Sequence, residues 1–311
     1  MKNDTNILFM GTPQIAATVL KSLLDAGISI QLVITQPDKK VGRKQKIVYS
    51  PVKQVAIEHD IEVFQPRRIS EDYQKVLDCK PDLIITCAYG QLVPDCILEA
   101  PKYGCVNLHG SLLPKYRGGA PIQRAIWNGD TKSGMSLMKM VHALDAGPVK
   151  AVQEVEILDE DNSTSIFEKM GIAASELILR ELDSVCSLDA KYIAQDDSLA
   201  TYAPVIKKEE EAIDLSKSDI EILNQIRALS NEPGAYVRIK KKKWKILSAT
   251  YKKEVNGEFG QLLGWIDNAY ALALHEGVLL VHVCQMEGKP VLSAKDFYNG
   301  QGRNLVGQSV E

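Results

Sequence analysis

A chain of 311 residues, 45% hydrophobic and 25% charged, holds enough apolar material for more than one core, so two domains are the natural expectation. Its formal net charge of -3 excludes a global attraction to nucleic acid or to anionic membrane, so any polyanion contact must come from local basic clusters. No apolar stretch approaches the roughly 18 residues of a membrane span, Met1 to Asn6 carries no signal-peptide pattern, and the six cysteines lack close Cys-x-x-Cys pairing; buried free thiols, no membrane association and a cytoplasmic location are expected.

From Asn6 onward, Ile7-Leu8-Phe9-Met10, Ile15 to Ala26, Ile28 to Thr35 and Pro51 to His59 read as strand, helix, strand, helix, the rhythm of a parallel sheet with right-handed crossovers. The first turn, Gly11-Thr12-Pro13, is followed by Gln14, Ile15 and Ala16 rather than by the second and third glycines of a dinucleotide fingerprint, which argues against a nicotinamide cofactor. After the second strand comes a long polar connection, Thr35 to Lys46, carrying Lys39, Lys40, Arg43, Lys44 and Lys46. A loop of this length is more often functional than ornamental, with a solvated basic surface loop as the lesser alternative on spacing alone. Strands follow at Asp82–Ala88, Cys105–Leu108 and Met135–Met140, and the helical spacing of Ile166, Phe167, Met170, Ile172, Ala173, Leu177 and Ile178 predicts a long helix over Thr164–Leu182. Between Asp183 and Lys208 the chain turns polar and irregular, which suggests a linker. Beyond it, one helix over Ser218–Leu229 precedes short apolar runs at Tyr236–Ile239, Trp244–Ala249, Leu262–Ile266, Tyr270–Leu274 and Val278–Cys284. The expected fold class is α/β: a Rossmann-like N-terminal domain with a mostly parallel sheet (1–188), a linker (189–207), and a C-terminal antiparallel β-barrel of the oligonucleotide-binding type (208–311).

The chemistry concentrates at the end of the strand Cys105–Leu108. In open α/β sheets the carboxyl ends of the strands are where ligands bind. Asn107 and His109 are two apart and share one side of an extended chain, so an amide and an imidazole could both reach one oxygen. Acyl transfer to an amine needs such donors, because attack on a carbonyl places negative charge on its oxygen. Imidazole can also move the proton the amine must lose. Asp145, in the loop Ala143 to Pro148 after the strand Met135–Met140, is expected to return to the same sheet edge and support His109. Taken singly, His109 reads better as a satisfied core or capping histidine and Asp145 as a turn residue; only the combination points to a site.

The run Asn107-Leu108-His109-Gly110-Ser111-Leu112-Leu113-Pro114-Lys115-Tyr116-Arg117-Gly118-Gly119-Ala120-Pro121-Ile122-Gln123, with Trp127-Asn128-Gly129-Asp130, resembles the signature of the tetrahydrofolate-dependent formyltransferases. The resemblance implies 10-formyltetrahydrofolate as formyl donor and co-substrate, no metal, and catalysis by Asn107, His109 and Asp145. It also implies folate contacts from Ser111, Leu112, Leu113 and Pro114, with an apolar slot after Ala88-Tyr89-Gly90 for the pterin, so Tyr89 and Gly90 join the candidates.

Members of that family act on a purine precursor, a sugar nucleotide or methionyl-tRNA. Gln36-Pro37-Asp38 followed by Gly42-Arg43, with Ser50-Pro51-Val52-Lys53, is similar to the insertion by which members acting on methionyl-tRNA grip the acceptor stem. That likeness assigns Arg43 first, then Lys39, Lys40, Lys44 and Lys46, to tRNA phosphates. The second domain carries Arg238-Ile239-Lys240-Lys241-Lys242-Lys243-Trp244-Lys245, where Lys241, Lys242 and Lys243 offer a phosphate-tracking turn for structured RNA. Asn231-Glu232-Pro233-Gly234-Ala235 resembles the turn that opens the family's C-terminal domain. The implied partners are folate and initiator methionyl-tRNA, and with no coiled coil or exposed apolar stripe a monomer is expected. The sequence departs from the family pattern at Gln14 and Ile15, where an acidic and an aromatic residue are common, and at Ala146-Gly147-Pro148 after Asp145. A sugar-nucleotide enzyme and a catalytically silent folate- or RNA-binding protein are the competing readings.

Overall fold

The computed structural model describes residues 5–42, 45–253 and 257–311. In chain order the elements are β1 (Ile7–Gly11), α1 (Gln14–Asp25), β2 (Leu32–Ile34), β3 (Lys39–Val41), β4 (Lys46–Val48), α2 (Pro51–Glu58), β5 (Glu62–Phe64), α3 (Gln74–Asp78), β6 (Leu83–Cys87), α4 (Asp95–Leu98), β7 (Cys105–His109), α5 (Pro121–Trp127), β8 (Lys132–Lys139), β9 (Val149–Glu156) and α6 (Ser163–Val185). They continue with α7 (Asp219–Ala228), β10 (Ala235–Ile239), β11 (Lys242–Lys252), β12 (Leu262–Ile266), β13 (Ala269–Ala273), β14 (Val278–Met286), β15 (Val291–Ser293) and α8 (Ala294–Gly300). The chain divides into two compact units: Met1–Gly118, Ser133–Glu156 and Phe167–Ala203 in the first, and Gly119–Lys132, Ile157–Ile166 and Pro204–Glu311 in the second.

The first unit is built on a seven-stranded sheet in the order β5-β2-β1-β6-β7-β8-β9. The pairs β5–β2, β2–β1, β1–β6 and β6–β7 are parallel, and β7–β8 is antiparallel. Every residue of β1 and β6 is buried, as expected of strands covered on both faces. Chain order reverses between β1 and β6, which is the crevice where open α/β sheets bind ligands. Gly11 ends β1 because a Cβ there would lie 2.7 Å from the Ala16 Cβ and 2.9 Å from the Cys87 carbonyl oxygen. In α1 the buried residues Ile15, Ala16, Val19, Leu20 and Leu23 recur at helical spacing and face the sheet. The start of α2 is fixed by Ser50, whose side chain accepts the Lys53 N–H, and by Pro51 in its first turn.

The second unit carries a six-stranded antiparallel sheet, with β10-β11-β14-β13-β12 in order and β15 paired to β14. Its core holds Trp244, Tyr270 and Phe297, with Trp244 stacked on Phe297 at 5.5 Å and Tyr270 edge-on to Phe297 at 4.9 Å. The end strands β10 and β12 are joined by the segment after α8. Leu262 N–H donates to the Gln308 carbonyl and Val310 N–H to Gly260, while Arg238 and Glu311 exchange both backbone bonds. The helix α7 opens with a capping box between Ser218 and Glu221. No helix of the described residues is long and apolar enough to cross a membrane.

Three features differ from expectation. The strand expected over 28–35 is limited to Leu32–Ile34, because Gly27 at φ +79 and the segment after it form the connection from α1. The polar connection after β2 contains a small hairpin, β3–β4, pairing Lys39 with Val48 and Lys40 with Ile47. The segment expected as a free linker over 189–207 is instead hydrogen-bonded to the first unit as far as Ala203: Ile193 bridges Val149, Arg117 N–H donates to the Thr201 carbonyl, and Ala203 N–H donates to the Arg117 carbonyl. Polarity alone suggested a linker, but here the backbone is satisfied by partners far away in sequence.

Candidate active site

β7 ends at the carboxyl edge of the parallel strands, and its pleat sets Asn107 and His109 on one face as expected. Asn107 lies between Thr86 of β6 and Met138 of β8 in register. It is half-buried, and its side-chain amide makes no hydrogen bond among the described residues, so it is available to a ligand. His109 is 5% exposed. Its Nε2 lies 2.9 Å from the carbonyl oxygen of Tyr116, and because a carbonyl only accepts, Nε2 carries the proton and donates. That leaves Nδ1 facing the Asp145 carboxylate at 3.6 Å, a separation longer than a direct hydrogen bond.

Asp145 reaches His109 by an unexpected route. Because β8 runs antiparallel to β7, the β8–β9 loop leaves beside the far end of β7, where Met140 N–H donates to the Cys105 carbonyl. The loop returns through Asp145 in the left-handed region at φ 47, a conformation aspartate tolerates better than most residues. Asp145 Oδ2 accepts the Gly118 N–H at 2.8 Å. Gly147 lets the loop close onto β8, for a Cβ there would sit 1.8 Å from the Lys139 carbonyl oxygen.

The loop after His109 is held by two buried serines. Ser136, opposite His109 on β8, donates to the Ser111 carbonyl at 2.7 Å and accepts the Leu113 N–H at 3.1 Å. Ser111 Oγ donates to the Lys115 carbonyl at 2.6 Å, and the Leu113–Pro114 peptide is cis. Leu112, Leu113 and Pro114 are half-buried, leaving part of each side chain open to a ligand. At the end of β6, Gly90 is exposed with φ +86. Tyr89 is turned the other way: its ring is buried with Leu8, Met10, Ile34 and Val93, and burial pushes its phenol above the usual range. Only its carbonyl faces the neighbouring loops, accepting from Thr12 Oγ1 and Gln36 Nε2.

Of the basic residues, Lys39, Lys40 and Lys46 are exposed on the β3–β4 hairpin beside exposed Ile47, Val48 and Tyr49. Arg43 and Lys44 lie outside the described residues. The hairpin is rooted by Asp38, which accepts from Lys53 at 2.7 Å and Gln65 at 2.8 Å. Burial raises the Asp38 carboxyl, but these two bonds outweigh it and hold it below its ordinary value. In the second unit Lys240 and Lys241 form the two-residue turn between β10 and β11, both with positive φ (50 and 68), the geometry of a type I′ hairpin. Lys241 and Lys242 are exposed and Lys243 packs its ammonium 3.9 Å over the Tyr236 ring.

Three further residues support the site: Ser136, Gly118 and Gln195. Gln195 donates to both the Asp145 and the Gly147 carbonyls, at 2.8 and 2.7 Å. None of the three carries a local signal, since each acts through partners far away along the chain.

Residues 5–182 match the model of a family described as formyl transferase, and residues 205–302 match that of the formyl transferase C-terminal domain. The chain is similar to a methionyl-tRNA formyltransferase of Malacoplasma penetrans, 38% identical over 99% of this chain and 97% of the relative. It is also similar to one of Streptococcus pyogenes, 42% identical over 96% of each chain. Among solved structures, an N-formyltransferase from Helicobacter canadensis, in complex with folinic acid and dTDP-3-aminofucose, shares the fold with a TM-score of 0.68 at 19% identity, over 89% of this chain and 99% of that one. HypX from Aquifex aeolicus, in complex with tetrahydrofolic acid, has a TM-score of 0.69 at 18% identity over 97% of this chain, which spans about half (48%) of that protein.

Proposed function

The chain belongs to the formyl transferase family, and from that premise we propose that it transfers the formyl group of 10-formyltetrahydrofolate to the α-amino group of methionine on initiator methionyl-tRNA, giving N-formylmethionyl-tRNA for translation initiation. The observation that carries the acceptor is the likeness to methionyl-tRNA formyltransferases, which runs through both units at 38–42% identity. The half-buried Leu112–Pro114 segment, the open Gly90 turn and the unpaired amide of Asn107 fit a folate carrying a formyl group. In this reading the enzyme is a monomer in the cytoplasm and uses no metal.

The attacking amine forms a C–N bond to the formyl carbon while the bond to N10 of the folate breaks, so the amine loses a proton and N10 gains one. Asn107 Nδ2 donates to the formyl oxygen as negative charge builds there. Since His109 Nε2 is tied to Tyr116, Nδ1 is the working nitrogen: it takes up the proton the amine loses and then donates to the same oxygen as Asn107, with the Asp145 carboxylate beside it. At 3.6 Å the carboxylate lies just beyond direct hydrogen-bond distance of Nδ1 and too near it to admit an atom between them. On the acceptor side, Lys39, Lys40, Arg43, Lys44 and Lys46 contact phosphates of the acceptor stem, with Lys241, Lys242 and Lys243 contributing from the second unit.

A transfer assay comparing Met-tRNA, free methionine and glycinamide ribonucleotide tests the acceptor: product is expected with Met-tRNA alone, and formylation of the ribonucleotide instead would sink the assignment. Asn107→Ala should cost about 100-fold or more in kcat, the usual effect of removing an oxyanion donor, while folate binding persists. Full activity of His109→Ala would overturn the role given to Nδ1.

A further inference from the structure

The segment Gln195–Ala203, polar and irregular in sequence, touches the backbone that holds His109 and the turn that carries Asp145. On one side it secures the backbone that holds His109 and Asp145: Thr201 Oγ1 accepts the Tyr116 N–H at 2.9 Å, and the Thr201 carbonyl accepts the Arg117 N–H. Tyr116 supplies the carbonyl that fixes His109, and Gly118 supplies the N–H that fixes the Asp145 carboxylate. Gly118 itself has φ +121, and a Cβ there would meet the Ala203 carbonyl oxygen at 2.7 Å, so strap and loop lie in direct contact.

On the other side stands Gln195. Both N–H groups of its amide are used, one to the Asp145 carbonyl at 2.8 Å and one to the Gly147 carbonyl at 2.7 Å. Its oxygen accepts from Arg117 Nε and Nη2, at 3.1 and 2.9 Å. The amide orientation follows from its neighbours: reversed, it would set an oxygen against two carbonyls and an NH2 against a guanidinium. Arg117 is 4% exposed, so the amide joins a buried cation to the left-handed turn that presents Asp145. The loop rejoins the sheet only at Pro148, whose carbonyl accepts the Lys139 N–H of β8, and the Gln195 amide holds the Asp145 and Gly147 carbonyls just ahead of that bond.

We infer that Gln195 is a positioning residue for formyl transfer: it locks the Asp145–Gly147 turn so that the carboxylate stays beside His109 Nδ1. The inference rests on the catalytic role given above to Asp145. Displacing a catalytic group by about 1 Å can cost on the order of 100-fold in rate, so the effect should fall on turnover rather than on binding.

The test uses the full-length enzyme with 10-formyltetrahydrofolate and Met-tRNA. Gln195→Met keeps the length and loses all four bonds. Gln195→Glu keeps an acceptor for Arg117 but cannot donate to the two carbonyls. Both are expected to lower kcat by about 10- to 100-fold, with KM for each substrate within about twofold and a Tm lowered by a few degrees as the two carbonyls lose their donor. Asp197→Asn, which alters only the exposed end of the Arg117 contacts, should remain near wild type. Wild-type kcat in Gln195→Glu, or a loss in Gln195→Met that appears only as raised KM or lowered Tm, would overturn the positioning role. Asp145→Asn separates the two ideas: full activity there discards the role of Asp145 itself, whereas its inactivity beside active Gln195 variants discards only the inference about Gln195.

Discussion

Gly147 shows how tightly a single position governs the site. The Cβ of an alanine would fall 1.8 Å from the Lys139 carbonyl oxygen, and backbone cannot yield as a flexible side chain can. Gly147→Ala is therefore expected to push the loop off β8 and carry Asp145 away from His109, lowering kcat by about 100-fold with a small loss of Tm. Steady-state kinetics and a melting curve check it, and a variant with normal turnover would show that the loop has slack. At this scale the sequence was legible where the chemistry is local. Asn107 and His109 share a face because the strand period is two, and that follows from spacing. The arrival of Asp145 does not follow from spacing, because it depends on an antiparallel β8 and a left-handed turn. Gln195 was illegible for a plainer reason: one polar residue in a polar stretch, with partners 48 to 78 positions away, leaves no pattern.

Among the elements, the β10–β11 hairpin carries a visible conflict between stability and charge. Two consecutive lysines, Lys240 and Lys241, occupy the left-handed conformation that a type I′ turn demands and that Asn-Gly holds with less strain. A left-handed L-residue costs roughly 1–2 kcal/mol, so replacing the pair by Asn-Gly should stabilise the second unit by about that amount. The same change removes two cations from the proposed tRNA surface. Weaker Met-tRNA binding and a shallower dependence on salt are expected, by about one unit of log–log slope for each phosphate that is no longer neutralised. Binding isotherms across a salt series and a thermal melt read both effects. Unchanged affinity in a stabilised variant would leave this turn no part in RNA recognition. Composition and spacing marked the turn as basic, yet the strain in it shows only in the backbone. The β3–β4 hairpin shows in the sequence only as a long polar connection, since three-residue strands such as Lys39–Val41 are too short to display a period.

For the molecule as a whole, the alternation of strands and helices and then the run of short strands made the two-part architecture readable, because each architecture has its own rhythm of apolar runs. What no rhythm conveys is that 119–132 and 157–166 belong to the second unit, or that the strands of that unit are joined at their edges by a segment near residue 310. β10 and β12 do not pair with each other; the free edge of β10 is met at Tyr236 by Ala212 and Ile213, but the rest of that edge and the edge of β12 would, left open, present unpaired backbone groups, the usual template for association. Residues 308–311 lie between them, bonded to Leu262 and Gly260 on one side and to Arg238 on the other, with Val310 only 8% exposed in the same core as Trp244 and Phe297. Val310→Asp would bury a carboxylate without a partner, a change expected to cost on the order of 3 kcal/mol and several degrees of Tm. Its second consequence separates edge closure from simple core packing: with the seam loosened, sedimentation should show concentration-dependent association. Val310→Ala, which removes methyl groups but keeps the backbone bonds, should lose some Tm and remain monodisperse. If both variants stayed equally monodisperse, the segment would be acting as core filling alone and the sheet edges would need no cover.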